Sequence, residues 1–334
     1  MRVLVTGTSG RIGRALVAAL REDGHWIRGF DLAPAPPELA PDELVVGALD
    51  DEAAVERAVD GVEGVVHLAA LMSWHPRDEG RLFDVNVRPT FHLARRAARH
   101  GVRRFVFASS GEVYPEVSPV RLPIDEGHPT LPTSAYGLTK LLGEEIVRAQ
   151  HRRSGMPFCI LRFAHTQAPE ELLDPDSFFS GPRFYVGAKL RQLRGFPPSP
   201  AVERSIAALE AVATDAEQHY VGCAPDGTPY RMGICDVRDM VSGIRLALEH
   251  PAAVGETFNI GPASSFDFDE AVAYLARATG LDVVPVRLHT VAYRYDTSVS
   301  KAASLLGYAP RHTIFGMIDD AVRGRDAVPT AEAH

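Results

Sequence analysis

Met1-Arg2-Val3-Leu4-Val5-Thr6-Gly7-Thr8-Ser9-Gly10-Arg11-Ile12-Gly13 opens the chain and decides its fold. An apolar run that ends in spaced glycines and continues at helical spacing is typical of a buried strand, a tight turn and a helix. The glycines allow the backbone to turn sharply and to approach a phosphate, while the amides at the helix start attract an anion. This segment therefore predicts a dinucleotide-binding turn, with contacts from Gly7, Gly10, Arg11, Ile12 and Gly13.

Short apolar runs alternate with helical patterns through the first half of the chain, which is typical of a parallel sheet covered on both faces. The predicted strands are 3–5, 26–30, 44–46, 65–68, 105–107 and 158–161, and the main predicted helices are 51–59, 81–99 and 135–153. A late strand at 257–261, after a helix from 236 to 249, is expected to rejoin the sheet. The predicted fold class is α/β, a Rossmann-type doubly wound parallel sheet with a smaller, interleaved carboxy-terminal substrate lobe.

After Arg162 the sequence becomes irregular and rich in proline, which predicts the start of a second lobe. We expect a dinucleotide-binding domain at residues 1–165 and 233–262, and a substrate domain at 166–232 and 263–325. The polar, alanine-rich stretch 326–334 is expected to be a frayed tail.

The composition excludes several classes of protein. The 334 residues are 46% hydrophobic, and no apolar run approaches the roughly 18 residues that a membrane span needs. A formal net charge of −8 opposes nucleic-acid binding. Cys159, Cys223 and Cys235 lack metal-ligand spacing, so we expect reduced structural thiols and no metal site. The apolar run at the amino terminus is shorter than a secretory signal requires, which predicts a cytoplasmic protein.

Asp31 directly follows the second predicted strand, where an acid can accept hydrogen bonds from both hydroxyls of an adenosine ribose. The same carboxylate would repel a 2'-phosphate, so NAD is favoured over NADP and is the predicted cofactor. Arg11 beside the phosphate turn argues weakly against a strict preference for NAD. Taken alone, Asp31 could equally be a solvated loop acid.

Tyr136-Gly137-Leu138-Thr139-Lys140 places a tyrosine and a lysine four residues apart in a predicted helix, so both side chains share one face. The Lys140 ammonium is expected to lower the pKa of the Tyr136 phenol from about 10 toward neutrality and make it a general base. Ser110, which follows the fifth predicted strand, completes the candidate catalytic set. Each residue alone is ordinary, and only their joint occurrence indicates chemistry.

Several segments together resemble the extended short-chain dehydrogenase/reductase family, the branch of NAD-dependent epimerases and dehydratases that act mostly on nucleotide sugars. The resemblance covers nearly the whole chain and is carried by 6–13, His67-Leu68-Ala69-Ala70, Asn86-Val87 with Thr90, 109–114, Tyr136 with Lys140, Arg231, 236–239 and 255–261. It implies NAD contacts from Leu49, Asp50, Leu68, Ala69, Ala70, Asn86, Tyr136, Lys140 and Phe163, besides the glycine turn and Asp31. It implies substrate contacts from Ser73, Ser110, Glu112, Tyr136, His165 and Arg231.

The chain departs from the family pattern at two places that bear on the substrate. Ser110 is followed by Gly111 and Glu112, whereas dehydratases of the family place an acid and then a glutamate there, so 4,6-dehydration is not expected. Glu112 is interpreted either as a substrate contact or as a solvated glutamate. His165 stands where the family commonly has an asparagine that helps to hold a nucleotide-sugar diphosphate. It is expected to donate a pH-sensitive hydrogen bond to an anionic substrate, or else to be a satisfied histidine at a strand end.

The leading functional hypothesis is a nucleotide-sugar epimerase that transiently oxidises a ring hydroxyl and returns the hydride to the other face. The alternative is a net NAD-dependent dehydrogenase of a free sugar, sugar acid or other small alcohol. A catalytically silent NAD-binding protein is a third hypothesis. The resemblance also implies a homodimer through helices 81–99 and 135–153. The fold does not predict which sugar, which carbon or which direction.

Overall fold

The computed structural model describes residues 1–34, 40–214, 216–290 and 292–327. Its strands are β1 (Arg2–Thr6), β2 (Trp26–Asp31), β3 (Glu43–Val46), β4 (Gly64–His67), β5 (Arg104–Ser110), β6 (Phe158–Phe163), β7 (Thr166–Gln167), β8 (His219–Cys223), β9 (Arg231–Met232), β10 (Cys235–Asp236), β11 (Glu256–Ile260), β12 (Phe266–Asp267) and β13 (Val283–Arg287). Its α-helices are α1 (Arg11–Glu22), α2 (Glu52–Val59), α3 (Glu79–Asn86), α4 (Arg88–Arg99), α5 (Ala135–Ser154), α6 (Ser180–Phe184), α7 (Val186–Arg194), α8 (Pro200–Glu210), α9 (Val237–Glu249), α10 (Phe268–Thr279), α11 (Ser300–Leu306) and α12 (Ile314–Ala327).

Seven strands form one sheet in the order β11-β6-β5-β4-β1-β2-β3, and every neighbouring pair is parallel. Successive residues of the central strands are buried, as Val65 and Val66 of β4 show, because helices cover both faces of a doubly wound sheet. The six strands predicted in the first half of the chain and the late strand all lie in this sheet. The predicted Rossmann-type α/β fold is confirmed.

β1 lies in the interior of the sheet, between β2 and β4. The chain leaves β1 toward β2 on one side and crosses back from β3 to β4 on the other, so the strand order reverses beside β1. In open α/β sheets, ligands bind outside the carboxyl ends of the strands at such a reversal. Those ends are followed or occupied by Gly7, Asp31 and Leu68, three of the predicted cofactor contacts.

One face of the sheet packs on α2, α4 and α5 through buried apolar side chains. Leu4, Val65 and Phe105 come from adjacent strands and belong to one core with Val55 of α2 and Leu93 of α4. Fully burying an aliphatic or aromatic side chain of this size stabilises the fold by about 1.5–3 kcal/mol relative to leaving it exposed. This core therefore holds the three helices on the sheet.

The single helix predicted over 81–99 is wrong, because the structure divides it into α3 and α4. Val87 separates the two helices with φ −94° and ψ −58°, and Pro89 lies in the first turn of α4. Proline has no amide hydrogen and its ring clashes with the carbonyl four residues earlier, so it breaks a helix interior but is tolerated at a helix start. Pro89 was thus the signal for a new helix.

The chain forms two compact units. The first comprises residues 1–165, 237–261 and 297–310, and the second comprises 166–236, 262–296 and the described residues from 311 onward. The sequence assigns 297–310 to the substrate domain, whereas the structure groups it with the sheet. The reason is that Lys301 of α11 donates to the carboxylate of Glu256 at 2.8 Å and to the carbonyl of Thr257 at 2.9 Å, both on β11.

Within its described residues, the second unit contains three short strand pairs, β8 with β13, β7 with β10 and β9 with β12. It ends in α12, which includes residues 326 and 327, so these two residues are helical rather than part of a frayed tail. The rest of the predicted tail lies outside the described residues. Across the described ranges, no helix is long and apolar enough to cross a membrane.

Candidate active site

The glycine turn joins β1 to α1 with a tight geometry that depends on the missing side chains. Gly7 has a φ of +78°, which glycine adopts without strain, and its amide donates to the carbonyl of Phe30 at 2.9 Å. A Cβ on Gly13 would lie 2.1 Å from the carbonyl oxygen of Gly7, so a side chain there would push α1 away from the turn. A Cβ on Gly7 would lie 3.0 Å from the backbone of Ala69, which follows β4.

This turn fits the diphosphate of a dinucleotide. Gly10 is the N-cap of α1, no described side chain caps the helix there, and its first turn contains no acidic residue. The positive end of the helix dipole therefore stabilises an anion at this position. Beside it, the Thr8 hydroxyl is buried and has no hydrogen-bond partner within the described ranges, which a bound ligand would correct.

Asp31 ends β2 beside the glycine turn. Its Oδ2 accepts a hydrogen bond from the amide of Ser9 at 2.8 Å, and its Oδ1 accepts from the amide of Leu32 at 2.7 Å. The two amides fix the orientation of the carboxylate, and each oxygen retains capacity for a further donor. This geometry fits the predicted acceptor of ribose hydroxyls.

Further predicted cofactor contacts follow β3 and β4. Leu49 is partly buried against the core, and Asp50 comes next in the turn before α2. The amide of Ala69 donates to the Thr6 hydroxyl at 3.1 Å. The segment of Leu68, Ala69 and Ala70 is therefore anchored beside the glycine turn.

Two predicted cofactor contacts are more distant in sequence. Phe163 ends β6 and is paired in register with Ser110 of β5. The Asn86 side chain accepts from the amide of Leu71 at 2.8 Å, and donates to the carbonyl of Leu71 at 2.9 Å and to the hydroxyl of Thr139 at 3.1 Å. Asn86 thus connects the loop after β4 to α5 through hydrogen bonds. Its direct contact with NAD stays a prediction.

Tyr136 and Lys140 lie one turn apart on α5. The Ser134 hydroxyl caps this helix by accepting from the amide of Gly137 at 2.9 Å, which places Tyr136 in the first turn. The Lys140 Nζ is 5.6 Å from the centroid of the Tyr136 ring and donates to the carbonyl of Ala108 at 2.9 Å. Both side chains are almost completely buried.

Burial dominates the electrostatics of this pair. It raises the pKa of the Tyr136 phenol far above its usual value, and the negative charge of Glu112 raises that pKa further. Burial also lowers the pKa of the Lys140 ammonium to about 8. The lowered Tyr136 pKa expected from the Tyr136–Lys140 spacing is therefore wrong for this structure, in which the phenol keeps its proton unless a further positive charge is supplied.

Ser110 is the last residue of β5 and precedes the 3-10 turn Gly111–Val113. Its Oγ accepts from the amide of Glu112 at 3.1 Å. The first turn of α5 packs closely on this segment, since a Cβ on Gly137 would lie 2.2 Å from the carbonyl oxygen of Glu112. Ser110 and Tyr136 are therefore carried by two backbones in direct contact.

Glu112 connects these two backbones through its side chain. One carboxylate oxygen accepts from the indole of Trp74 at 2.9 Å, and the other accepts from the hydroxyl of Ser134, the cap of α5, at 2.6 Å. The interpretation of Glu112 as a solvated glutamate is therefore wrong. Its predicted contact with the substrate stays a prediction.

A buried ion pair, which the sequence reasoning missed, lies behind the candidate residues. Glu144 of α5 is fully buried, and its carboxylate accepts two hydrogen bonds from the Arg162 guanidinium of β6 at 2.9 and 2.8 Å and one from the Ser109 hydroxyl at 2.6 Å. Arg148, one turn further along α5, donates to the same carboxylate at 2.9 Å. Burial raises the pKa of Glu144, but the contacts with Arg162, Ser109 and Arg148 together outweigh it and leave that pKa lowered. The signal was the spacing of Tyr136, Lys140 and Glu144, which continues one helix face.

His67 ends β4 and is almost completely buried. Its Nδ1 lies 2.8 Å from the Thr6 hydroxyl oxygen and its Nε2 lies 3.0 Å from the Thr90 hydroxyl oxygen. Burial, together with the positive charge of Lys140, lowers the pKa of His67 to about 3. The imidazole is therefore neutral at physiological pH.

The remaining predicted substrate contacts have different surroundings. The Ser73 hydroxyl donates to the carboxylate of Asp78 at 2.6 Å. His165 follows β6, and its Nε2 lies 3.9 Å from the carboxylate of Glu116, with both side chains 13% exposed. The carboxylate of Glu116 also lies over Gly111, where a Cβ would be 2.4 Å from it. His165 therefore has Glu116 as its partner, and the pair lies beside the segment that follows Ser110.

Arg231 belongs to the second unit, where it pairs with two carboxylates. Its guanidinium donates to Asp267 at 2.9 Å and lies 3.3 Å from Asp296. These contacts raise the pKa of Arg231 although burial opposes them. Arg231 is a paired guanidinium, and its contact with a substrate stays a prediction.

One group of side chains within the described ranges has the spacing of a metal site, namely Asp23, His25 and Glu249. Its donor atoms already have protein partners. The ring nitrogens of His25 lie 2.7 Å from the carboxylate of Glu249 and 3.2 Å from the amino group of Met1, and Arg245 pairs with Asp23. No metal function follows from this group.

The parallel sheet, the glycine turn at its strand-order reversal and the Tyr136–Lys140 helix together define a dinucleotide-binding oxidoreductase fold of the short-chain type. The chain matches the model of the NAD dependent epimerase/dehydratase family over residues 3–261 and belongs to this family. The predicted resemblance is thereby confirmed, and the NAD dependence of the family agrees with the predicted cofactor.

Known proteins similar to this chain include both oxidoreductases and epimerases. A short-chain dehydrogenase/reductase superfamily protein from Agrobacterium tumefaciens, solved with bound NAD, is 46% identical with a TM-score of 0.92 and covers 98% of this chain and 97% of its own. A UDP-glucose 4-epimerase from Halalkalibacterium halodurans is 26% identical over 93% of this chain and 91% of its own. A uronate dehydrogenase from Pseudomonas syringae pv. tomato is 34% identical over 48% of this chain and 58% of its own. The chain spans about half the length of the curated dehydrogenases that it matches.

Replacing Glu144 with glutamine keeps the side-chain shape but leaves the buried Arg162 without its counter-charge. We expect the free energy of unfolding to fall by about 3–5 kcal/mol, because an unpaired buried charge is costly. Urea denaturation followed by circular dichroism measures the loss. The matched control is Glu145→Gln, whose carboxylate is 55% exposed on the same helix and pairs with Arg148, and which should cost less than about 1 kcal/mol. Equal losses in the two variants would contradict a stabilising buried pair.

His67→Gln should reduce the dependence of stability on pH. The pKa of His67 is about 3 in the folded chain and 6.5 in the reference state, so the folded chain binds fewer protons in this window and stability falls as the pH drops from 6.5 toward 3. At pH 5 this loss is about 2 kcal/mol relative to neutral pH. Urea denaturation at both pH values measures it.

The control for His67→Gln is His75→Gln, since His75 is only partly buried and should leave the wild-type difference between the two pH values unchanged. An unchanged difference in His67→Gln would show that His67 is not the buried neutral group described above.

Proposed function

We propose that this chain catalyses NAD-dependent hydride transfer at a hydroxyl-bearing carbon of a sugar or a related small alcohol. The observation that carries the proposal is the packing of the Ser110 segment against the helix turn that bears Tyr136, with Lys140 one turn further on the same helix. The hydroxyl of Ser110, the phenol of Tyr136 and the ammonium of Lys140, when they lie this close to one another, can bind an alcohol and remove its proton.

In the proposed reaction the substrate hydroxyl binds to Ser110 and Tyr136. The Tyr136 phenolate takes the hydroxyl proton while the hydrogen on the same carbon leaves as hydride, so that one O–H and one C–H bond break and a C=O bond forms. The Ser110 hydroxyl donates to the substrate oxygen throughout. Lys140, charged below a pKa of about 8, stabilises the phenolate.

NAD supplies the hydride acceptor and, when oxidised, a positive charge. The residues that would hold it are the glycine turn with the Thr8 hydroxyl, for the diphosphate, and Asp31, for the ribose. A positive charge opposes the effect of burial on the Tyr136 phenol. We therefore expect this chain to ionise Tyr136 when oxidised NAD is bound rather than in its absence.

Two reactions begin with this step. A nucleotide-sugar epimerase would return the hydride to the opposite face of the ketone, and the full-length similarity to a UDP-glucose 4-epimerase supports this candidate. A net dehydrogenase would release the ketone and NADH, and the similarity to a uronate dehydrogenase over about half of the chain supports that one.

The surroundings of Arg231 and His165 favour the dehydrogenase. The family resemblance assigns Arg231 to a substrate diphosphate, but two carboxylates, from Asp267 and Asp296, already pair with its single positive charge. Such a cluster is unfavourable for a diphosphate, because its net charge is negative. His165, which replaces the family's asparagine, lies beside Glu116 rather than in a neutral setting. We therefore favour a free sugar, a sugar acid or a small alcohol as the substrate.

A substrate panel distinguishes the two reactions. The purified chain is denatured and the released nucleotide is assayed, and the native chain is then given D-glucose, D-galactose, D-glucuronate, D-galacturonate or UDP-glucose with excess NAD. Steady NADH formation on a free sugar or sugar acid would support the dehydrogenase. Conversion of UDP-glucose to its epimer without net NADH would support the epimerase. Turnover of none of these compounds would contradict the proposal.

Tyr136→Phe should lower kcat on the compound that is turned over by about 100-fold to 10,000-fold, because the general base is lost. The Kd for NAD, measured by calorimetry, should stay within about threefold of the wild-type value, since only one hydroxyl is removed. The control is Tyr274→Phe, whose hydroxyl donates to Asp319 in the second unit and which should leave kcat unchanged. Full activity in Tyr136→Phe would refute the proposed base.

We also propose that the chain forms a homodimer through α3, α4 and α5. Phe83, Phe91 and Leu138, one on each helix, are 51%, 41% and 48% exposed. Large apolar side chains exposed on neighbouring helices are typical of an interaction surface. The family resemblance implies that these same helices pack against a second copy.

Phe91→Glu should convert the dimer into a monomer, because a carboxylate would be buried without a partner in the interface. Size-exclusion chromatography with light scattering measures the mass. Leu305→Glu on α11 is the control, since Leu305 is similarly exposed at 44% but lies outside the proposed surface. A monomeric wild-type chain would contradict the dimer itself.

A further inference from the structure

A line of buried hydrogen bonds runs from the glycine turn to the helix that carries Tyr136. It begins where the amide of Ala69 donates to the Thr6 hydroxyl at 3.1 Å, and the Thr6 oxygen lies 2.8 Å from Nδ1 of His67. On the other side of the ring, Nε2 of His67 lies 3.0 Å from the Thr90 hydroxyl. Thr6, His67 and Thr90 are each at most 2% exposed.

The line continues from α4 through Asn86, the last residue of α3, to α5. The Thr90 hydroxyl donates to the carbonyl of Asn86 at 2.6 Å, and the amide of the same Asn86 side chain donates to the Thr139 hydroxyl at 3.1 Å. Thr139 in turn donates to the carbonyl of Tyr136 at 2.7 Å. The last acceptor is thus the backbone of the residue proposed as the general base.

Hydrogen-bond counting fixes the proton on the imidazole. The Thr90 hydroxyl donates its single hydrogen to Asn86, so toward His67 it can only accept. Nε2 of His67 must therefore carry the proton. The Thr6 hydroxyl accepts from Ala69 and can donate its own hydrogen to Nδ1, which must therefore be the unprotonated nitrogen. The pKa of His67, lowered to about 3 by burial and by Lys140, agrees with a neutral ring.

The line consists of two head-to-tail runs joined covalently by Asn86: one ends at the Asn86 backbone carbonyl, and the other runs from the Asn86 side-chain amide to the Tyr136 carbonyl. Hydrogen bonds arranged head to tail polarise and strengthen one another in a buried setting, within each run. Asn86 adds a branch, because its side chain also exchanges two hydrogen bonds with the backbone of Leu71, in the loop after β4. The cofactor side and the catalytic helix therefore share one set of partners.

We infer that His67 and Thr90 are positioning residues, which set the place of Tyr136 relative to the cofactor turn through this line of hydrogen bonds. The inference rests on the proposed function, since it explains how two segments of the site keep their alignment. Neither residue needs to touch the substrate. A shift of about 1 Å between reacting groups can cost a factor of about 100 in rate, so a device of this kind affects kcat.

The first test compares Thr90→Val with Thr90→Ser in the full chain. Valine has the shape of threonine without its hydroxyl, and serine retains the hydroxyl. With whichever compound of the substrate panel is turned over, we expect Thr90→Val to lower kcat by about tenfold or more, while KM and the Kd for NAD stay within about threefold. Thr90→Ser should recover most of kcat. A urea midpoint for each variant confirms that it is folded.

Thr139→Val and Thr139→Ser repeat the test at the other end of the line, in case Thr90→Val fails to fold.

A spectroscopic measurement accompanies both pairs of variants. Nitrogen-15 NMR spectra are recorded on the histidine-labelled chain loaded with NAD, and the His67 signals are assigned by their loss in His67→Gln. We expect the proton of His67 on Nε2 in the wild type and in Thr90→Ser, and a mixture of both neutral forms in Thr90→Val, because the acceptor at Nε2 is lost.

The outcomes separate this inference from the proposed function. A wild-type proton on Nδ1, or a kcat in both valine variants equal to that of the wild type, would overturn the positioning role while leaving the proposed reaction intact. Equal losses of kcat in valine and serine variants would also overturn it, because the hydroxyl would then not be the cause. Failure of the wild-type chain to turn over any compound of the panel would contradict the proposed function and this inference with it.

Discussion

The buried ion pair between Glu144 and Arg162 is the interaction on which the candidate site depends. It joins α5 to β6, while the Ser109 hydroxyl joins the same carboxylate to β5. Arg162 also donates to the Tyr114 hydroxyl at 2.8 Å, and Tyr114 donates to Asn259 of β11 at 2.8 Å. Two charges removed from water are tolerable only when most of their hydrogen-bonding capacity is satisfied. The cluster meets this condition because four elements converge on it, and the helix of Tyr136 and Lys140 is one of them.

Burial also determines what the site can do before a ligand arrives. It works against the charged form of both the Tyr136 phenol and the Lys140 ammonium, so the closeness of Lys140 alone does not produce a phenolate. The glycine turn, by contrast, offers positive potential and an unpaired Thr8 hydroxyl to an anion. Under the proposed function, the cofactor would bind through features that exist in its absence, and Tyr136 would ionise through charge that binding adds.

The sequence predicted the features that local pattern encodes. Apolar runs, spaced glycines and the interval between Tyr136 and Lys140 are each visible within a short window, and they were sufficient for the sheet, the turn and the candidate helix. The contacts that the sequence reasoning missed join distant positions. Asp267 and Asp296 lie 36 and 65 residues from Arg231, and no local pattern indicates that they pair with it. The pKa of Tyr136 was misjudged for a related reason, since spacing along a helix says nothing about how completely the tertiary structure excludes water.

Two contacts hold α5 in place: the hydrogen bond from Asn86 to Thr139 and the ion pair of Arg162 with Glu144. They act together because they lie on different sides of the helix. Thr139, which receives the hydrogen bond from Asn86, and Glu144, which receives Arg162, are five residues apart, or about 140° around an α-helix at about 100° per residue. A single contact would fix the position of the helix but would allow rotation about its axis. Two contacts separated by this angle oppose rotation as well. The direction of the Tyr136 and Lys140 side chains is therefore set by Asn86, the last residue of α3, on one side and by the sheet on the other, which is why residues that need not touch a substrate are expected to control the reaction.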